Sequence, residues 1–375
     1  MSTVARQKLR EARLWVVKIG SALLTDNGRT LNEEAIARWC SQIAILREGG
    51  RRVILVSSGA VAEGCRRLGL ASRPESVHEL QAAAAAGQMG LVEAYERALR
   101  RSGLGTAMVL LTHDDFADRS RYLNARATLN TLLDFGVVPV INENDSVATE
   151  EIKLGDNDML SAMVASALAA DVLLLLTDQD GLRERDPRDE PGAPIVRDAS
   201  ADDPRLDGYA GGGGVLGRGG MVTKLAAARL AGRSGTHTVI ANGLLDDVLL
   251  ALSKGADIGT VLSADVEPLA SRKRWIAGQL IAKGEIALDA GAVEAVRNRG
   301  VSVLAVGAVR ATGEFGRGDM VRVTDAAGTE VAKGLVNYSG DEIRLLLGAG
   351  SDEIEARLGY VDEPELIHRD NLAVL

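Results

Sequence analysis

Residues 171–177 read DVLLLLT, an almost unbroken apolar run that is short enough for a strand and has no polar face to turn towards water. Such a strand is buried on both faces, as the central strands of a parallel sheet are. Shorter β-rich runs share this character at Leu14 to Ile19, Arg52 to Ser57, Ala107 to Thr112, Val137 to Ile141 and His237 to Ala241. Longer helical patterns alternate with them. After Leu31, Asn32 reads as an N-cap, Ile36, Trp39, Cys40 and Ile43 form one apolar stripe, Glu34, Arg38 and Gln42 face the other way, and Gly49 is the stop. This rhythm predicts an α/β fold, with an open, mainly parallel sheet sandwiched by helices.

The alternation falters between Asp178 and Gly217, where DPRDEPGAP and the glycines 211–214 read as a long mobile excursion. The stretch SRKRWIAG, from Ser271 to Gly278, reads as a connection between domains. From Ile281 onward the sequence changes to short Val-rich strands broken by glycine, which suggests a small β-barrel-like second domain. The expected division is a first domain over 1–270, a linker over 271–282 and a second domain over 283–375.

With 375 residues, 46% of them hydrophobic, the chain can bury a sizeable core, and with only 3% aromatic that core is built from Ala, Val, Leu and Ile. The formal charge of -9, with ten basic against sixteen acidic side chains from Lys283 onward, disfavours a nucleic-acid partner. Two cysteines without CxxC spacing, and no secretory apolar segment at the N-terminus, point to a reducing cytoplasmic setting in which Cys40 and Cys65 are buried filler. Nothing approaches the about 18 apolar residues that span a bilayer.

The polar segment INENDSVATEEIKLGDNDMLS, 141–161, begins where one apolar run stops and ends where an Ala-rich helical pattern starts. Its amides suit a carboxylate and its acids an ammonium, so it fits a zwitterionic amino acid; a polar loop bent at Gly155 reads the same residues equally well. In VVKIGSALLT the lysine Lys18 ends the first strand, with Gly20 and Ser21 in the turn, where α/β sheets gather ligands. A snorkelling surface lysine is the alternative. Two more glycine turns, SSGAVAEG with Ser58 and Gly59, and GRGGMVTK with Thr223 and Lys224, each open a helix whose free amides attract anions. The dipeptide Gly-Lys never occurs, which removes a Walker A loop, and DFG at 134–136 with HRD at 368–370 stand in the wrong order for a protein kinase. His78, His113, His237 and His368 are scattered without metal-ligand spacing.

Taken in order, VVKIGSALLT, SSGAVAEG, INENDSVATEEIKLGDNDMLSA, LLTDQDGL and GRGGMVTKLAAA resemble the amino acid kinase family across essentially the whole chain. The C-terminal part resembles the PUA module, named for pseudouridine synthases and archaeosine transglycosylases. INEND and GDND, together with the PUA-like tail, narrow the likeness to the branch acting on glutamate. The resemblance implies ATP-dependent phosphorylation of the L-glutamate side-chain carboxylate to L-glutamyl 5-phosphate, the first step towards proline. It implies that Lys18 and Lys224 face the transferring phosphoryl group and that Asp158 orients them. Ser58, Gly59, Asn142, Asp145 and Asn157 would hold glutamate. Lys18, Gly20, Thr177, Asp178, Arg218, Gly219, Gly220, Met221, Val222, Thr223 and Lys224 would border ATP, although some relatives carry threonine in place of Arg218.

Mg2+ is expected with the nucleotide, held largely by phosphates and water, so no metal-binding residue is named. A carboxylate nucleophile is already ionised, so no general base is required. Relatives are inhibited by proline, and the likeness also implies a homo-oligomer, dimer or tetramer, and hand-over to the next enzyme of the pathway. The competing readings are a sister kinase acting on another carboxylate and an RNA-binding protein working through the PUA-like module. Glu150 to Leu154 receives no role.

Overall fold

Each β-rich run of the first domain forms a strand: β1 Leu14–Ile19, β2 Arg52–Ser57, β3 Thr106–Leu111, β4 Val138–Glu143, β5 Val172–Thr177 and β7 His237–Asn242. With β6 Asp198–Ser200 and β8 Thr260–Ser263 they make an eight-stranded sheet in the order β3-β4-β2-β1-β5-β7-β8-β6. Only the β7–β8 pair is antiparallel. The computed structural model describes residues 4–26, 30–147, 157–210, 220–264 and 282–374. The chain divides into two units, one of 1–117 and 124–268, the other of 118–123 and 269–375.

The run 171–177 lies near the middle of the sheet, between β1 and β7, and Val172 to Leu176 are fully buried. Asp171 is excluded from the strand because its carboxylate accepts the N–H groups of Arg13 and Leu14 at 2.7 and 2.8 Å, tying the start of β1 to the start of β5. At the other end of the prediction, β4 continues two residues past Ile141, so Asn142 and Glu143 belong to the strand.

Alternation along β1 sorts the core into two halves. Trp15, Val17 and Ile19 pack with Trp39, Leu55, Leu91 and Tyr95 on one face, whereas Val16 packs with Ile54, Leu160, Leu173 and Leu225 on the other. The first face is covered by helices α2 Glu33–Glu48, α3 Ala60–Arg67 and α4 Val77–Arg100, following an N-terminal helix α1 Val4–Glu11. The second face is covered by α5 Asn157–Leu168 and α6 Met221–Arg233. By the same alternation Lys18 falls on the α5–α6 face.

Asn32 caps α2 as read, accepting from the Ala35 N–H at 2.9 Å. Gln42 departs from its assigned outer face. It is buried, and its Oε1 accepts the Leu249 N–H at 2.8 Å, satisfying an amide at the start of the short helix Val248–Ser253. Cys40 is buried, and burial pushes its thiol up to about 12, as suits inert filler, but Cys65 is half-buried. The α1 helix was not anticipated. Its Arg6 is 2% exposed and donates to the carbonyls of Ala256, Ile258 and Arg197, a buried role that no apolar periodicity reports.

The excursion after Asp178 is a correction. Val196 N–H to Leu182 O at 2.8 Å and Glu184 N–H to Pro194 O at 3.0 Å close it back on itself, β6 joins the sheet edge, and Leu206–Tyr209 is helical. Buried Leu182, Ala193, Ala201 and Leu206 anchor it, spaced too widely to register as a pattern. Its glycines 211–214, together with Arg218, Gly219, Glu150 to Leu154 and all of the expected linker but Ala282, lie outside the described residues.

The second unit contains a five-stranded mixed sheet of β9 Gly284–Leu288, β10 Ala308–Gly313, β11 Met320–Thr324, β12 Glu330–Leu335 and β13 Leu372–Val374, in the order β10-β9-β11-β12-β13. It has its own core, centred on Ile286, Val321, Val331, Tyr338 and Ile343.

Helices α3 and α4 lie backbone against backbone. A Cβ added to Gly64 would stand 1.6 Å from the Ala83 carbonyl oxygen, and one added to Gly87 would stand 1.8 Å from the Ala60 carbonyl oxygen. Since neither obstacle is a flexible side-chain tip, Gly64→Ala must separate the helices. It is expected to lower stability by about 1–3 kcal/mol, read from the denaturation midpoint at unchanged slope; an unshifted midpoint would refute the close contact.

Candidate active site

Strands β4, β2, β1 and β5 end side by side. In the ladder Lys18 stands level with Val56 and Leu175, Ile19 with Ser57 and Leu176, and Val56 with Ile141. Residues at the ends of these strands, from Ile19 to Thr177 along the chain, therefore converge on one edge, and the helices that follow the strands present their N-termini to the same edge.

On the α5–α6 face, Lys18 Nζ lies 2.5 Å from Asp158 Oδ1 and Lys224 Nζ lies 2.9 Å from Asp158 Oδ2. Asp158 sits in the first turn of α5 and is 0% exposed, and both lysines are buried. Burial pushes the Asp158 carboxyl up, but the ammonium groups of Lys18 and then Lys224 outweigh it and hold it down at about 2. The three side chains carry a net +1, a buried positive charge facing a strand edge. Thr223, one residue before Lys224, donates its hydroxyl hydrogen to the Gly220 carbonyl at 2.7 Å, with Asp158 Oδ2 the alternative acceptor at 3.2 Å, so the first turn of α6 borders the same carboxylate.

The preceding residue faces the other half of the site. Asn157 Nδ2 donates its two hydrogens to the Ser57 carbonyl at 2.5 Å and Asn142 Oδ1 at 2.8 Å, with Ser58 Oγ a further, shared acceptor at 3.2 Å. Asn142 Nδ2 in turn donates to Gln88 Oε1 at 2.9 Å. Below them Ser57 Oγ meets the Tyr95 hydroxyl at 3.0 Å, and burial pushes the Tyr95 phenol up. Gly59 caps α3 with φ of 97°, a left-handed conformation that admits glycine without strain, so the chain turns at once from β2 into the helix. Asp145 occupies the turn after β4, closed by Val147 N–H to Asn144 O at 3.1 Å. Burial raises its carboxyl to about 6, against a smaller opposing pull from Arg73.

Beyond β5 a cavity of about 450 Å³ opens, lined by Thr177, Asp178, Gly220, Met221 and Lys224 among the residues expected at the nucleotide. Gly20 stays at the strand edge, donating its N–H to the Leu176 carbonyl at 3.2 Å, and Val222 is exposed. Arg183, Arg185, Arg188 and Tyr209 also line the cavity and were missed, because they sit on the segment that read as mobile. Gln88 was missed for a different reason: within AAAAAGQMG it is one polar residue on a long helix, without a signal of its own.

A carboxylate clamped between two lysines, beside a cavity at the carboxyl edge of a parallel sheet, is the equipment of an enzyme that transfers a charged group rather than of a binding module. The chain belongs to the Amino acid kinase family, whose profile matches residues 13–242, and a PUA domain profile matches residues 284–358. Its relatives include the glutamate 5-kinase of Thioalkalivibrio sulfidiphilus, 59% identical with 100% of each chain covered. The glutamate 5-kinases of Stutzerimonas stutzeri and Chromohalobacter salexigens are each 57% identical, over 99% and 100% of this chain and 100% and 99% of theirs. Among the described residues no helix is long and apolar enough to cross a membrane.

The lowered Asp158 carboxyl fixes a sign. A group whose folded value, about 2, lies below its ordinary 3.8 contributes stability that is present above pH 4 and lost as the pH falls through 2. Asp158→Asn is expected to remove that acid-range component and to leave two facing ammonium groups, costing about 3–5 kcal/mol at neutral pH in urea titrations. Identical acid profiles for the two proteins would sink the assignment.

Proposed function

We propose that the chain transfers the γ-phosphoryl group of ATP to the side-chain carboxylate of L-glutamate, giving L-glutamyl 5-phosphate, the first step of proline biosynthesis. The observation that carries this reading is the dipeptide Asn157-Asp158, which joins a cluster of amides on one side to a lysine pair on the other. Glutamate is proposed to lie over Ser58, Gly59, Asn142 and Asn157, its ammonium taken by Asp145 and its side chain directed at Lys18. The nucleotide is proposed to lie along Thr177, Asp178 and the stretch from Arg218 to Lys224, its γ-phosphate towards Lys224.

The chemistry needs alignment and charge neutralisation more than proton transfer. The attacking oxygen is ionised, and charge spreads over the equatorial oxygens of the passing phosphoryl group. Asp158 holds two ammonium groups about one carboxylate apart, so one can follow the γ-phosphate while the other holds the acceptor; this is preorganised stabilisation. Asp178, whose carboxylate accepts from the Thr177 hydroxyl at 3.1 Å, is a hard oxygen donor suited to Mg2+ carried on the phosphates. When bound, that ion would neutralise the β- and γ-oxygens. Proline, the cyclised skeleton of glutamate, is proposed to compete at the same amides, and the active form is proposed to be a homo-oligomer that hands its product to the next enzyme.

An ADP-release assay across glutamate, aspartate and N-acetylglutamate should favour glutamate, and preference for either competitor would overturn the substrate assignment. Lys18→Ala and Lys224→Ala should each lower kcat by on the order of 10²–10³-fold with smaller changes in KM; equal loss of binding at unchanged kcat would remove their transition-state role.

Asp145 gives a pH test. Because its folded value is raised to about 6, the contribution to stability is full below its ordinary 3.8 and is lost as the pH rises through 6. Ionised Asp145 therefore weakens the free fold at neutral pH but attracts an ammonium. Asp145→Asn should raise the melting temperature at pH 7.5 while raising the KM for glutamate, and should abolish the rise in that KM as the pH of the wild type drops through 6. A pH-independent wild-type KM would contradict the ammonium contact.

A further inference from the structure

Two consecutive carbonyls where β2 runs into α3 are held from opposite faces of the sheet. The Ser57 carbonyl accepts from Asn157 Nδ2, at the start of α5. The Ser58 carbonyl accepts from Ser57 Oγ at 3.1 Å. That hydroxyl belongs to the other face, since Ser57 follows the alternation of Val53 and Leu55, which pack in the same half of the core as Tyr95. There the Tyr95 hydroxyl lies 3.0 Å from Ser57 Oγ.

Counting hydrogens gives this relay a direction. Ser57 and Tyr95 are fully buried, so neither hydroxyl can turn to water. Ser57 Oγ is the one partner of the Tyr95 phenol among the described contacts, so the phenol donates to it and is satisfied. The single hydroxyl hydrogen of Ser57 then goes to the Ser58 carbonyl. A backbone oxygen ends the relay, and no rotatable amide enters it.

A carbonyl held in this way fixes the N–H across the same peptide bond. No cis peptide occurs among the described residues, so the Gly59 N–H points opposite to the Ser58 carbonyl. It is thereby turned away from Tyr95, towards the face that carries Asn157, Lys18 and Asp158. Among the described residues this N–H meets no backbone acceptor.

We propose that Ser57, kept in its rotamer by Tyr95, is a positioning residue for phosphoryl transfer: by holding the Ser58 carbonyl on the core side it presents the Gly59 N–H as a fixed donor to an oxygen of the transferring group. This rests on the proposed function for the nature of the reaction. A neutral donor set in advance adds to the charge of the lysine pair without a further ammonium to bury. Ser57 and Tyr95 themselves touch no ligand, and their effect passes through one peptide plane.

The test uses the full chain in steady-state kinetics with glutamate and ATP, together with melting temperatures. Ser57→Ala releases the Ser58 carbonyl and orphans the Tyr95 phenol, so it should lower kcat about tenfold or more, with both KM values within about threefold of wild type, and should also lower the melting temperature. Tyr95→Phe leaves the Ser57 hydrogen on the Ser58 carbonyl and should keep kcat within about threefold. The double variant Ser57→Ala with Tyr95→Phe has no orphaned phenol, so its melting temperature should recover from that of Ser57→Ala while kcat stays low. If Ser57→Ala does not fold, the double variant gives the comparison of kcat by itself. A wild-type kcat in Ser57→Ala or in the double variant overturns the proposal, because the loss then follows the fold rather than the peptide plane. So does a loss in Tyr95→Phe as deep as that in Ser57→Ala, or a loss confined to the KM values. A wild type that ignores glutamate would overturn the substrate reading, whereas the same ordering of variants with another carboxylic acid would still uphold the role of Ser57.

Discussion

Two lysines on one buried carboxylate are the constraint around which the rest of this site is arranged. Lys18 comes from the end of β1, Asp158 from the first turn of α5 and Lys224 from the first turn of α6, and the three meet only because those elements share one face and one edge of the sheet. A lone ammonium at that depth would lose its hydration without return, and two would repel each other. The carboxylate makes both tolerable and leaves one excess positive charge. That excess suits a site whose ligands arrive as polyanions.

The amide cluster is the uncharged counterpart across the same edge. It is built from atoms that can donate or accept by a simple rotation, so its usefulness depends on what holds each amide in place. The tight α3–α4 contact answers that need. Gly64 and Gly87 let two helices approach at backbone distance, which places Gly59 and Gln88 at fixed heights above the strand ends. The consecutive Asn157 and Asp158 then couple the two halves without a flexible link.

Much of this could be read from residue order. The apolar runs located six of the eight strands, because a central parallel strand needs an unbroken hydrophobic signal. Asn32 declared its cap by type and position. The readings failed where a polar side chain is used internally, as with Gln42 beneath the Leu249 amide and Arg6 among carbonyls, since periodicity counts such residues as outward-facing. They also failed on the segment after Asp178, where turn-rich composition hid scattered apolar anchors and, with them, the arginines and Tyr209 of the cavity wall.

The sequence by itself determined the alternation of strands and helices, the change of character after the first domain, and the identity of the charged and amide groups available to the site. These are local properties, written in the period and type of neighbouring residues. Only the tertiary structure decided that Asn157 and Asp158 face opposite halves of the site, that Asp158 is fully buried between the two lysines, and that Gln88 joins the amides. Those facts depend on strand register and on the distance between α3 and α4, quantities that no single stretch of chain contains.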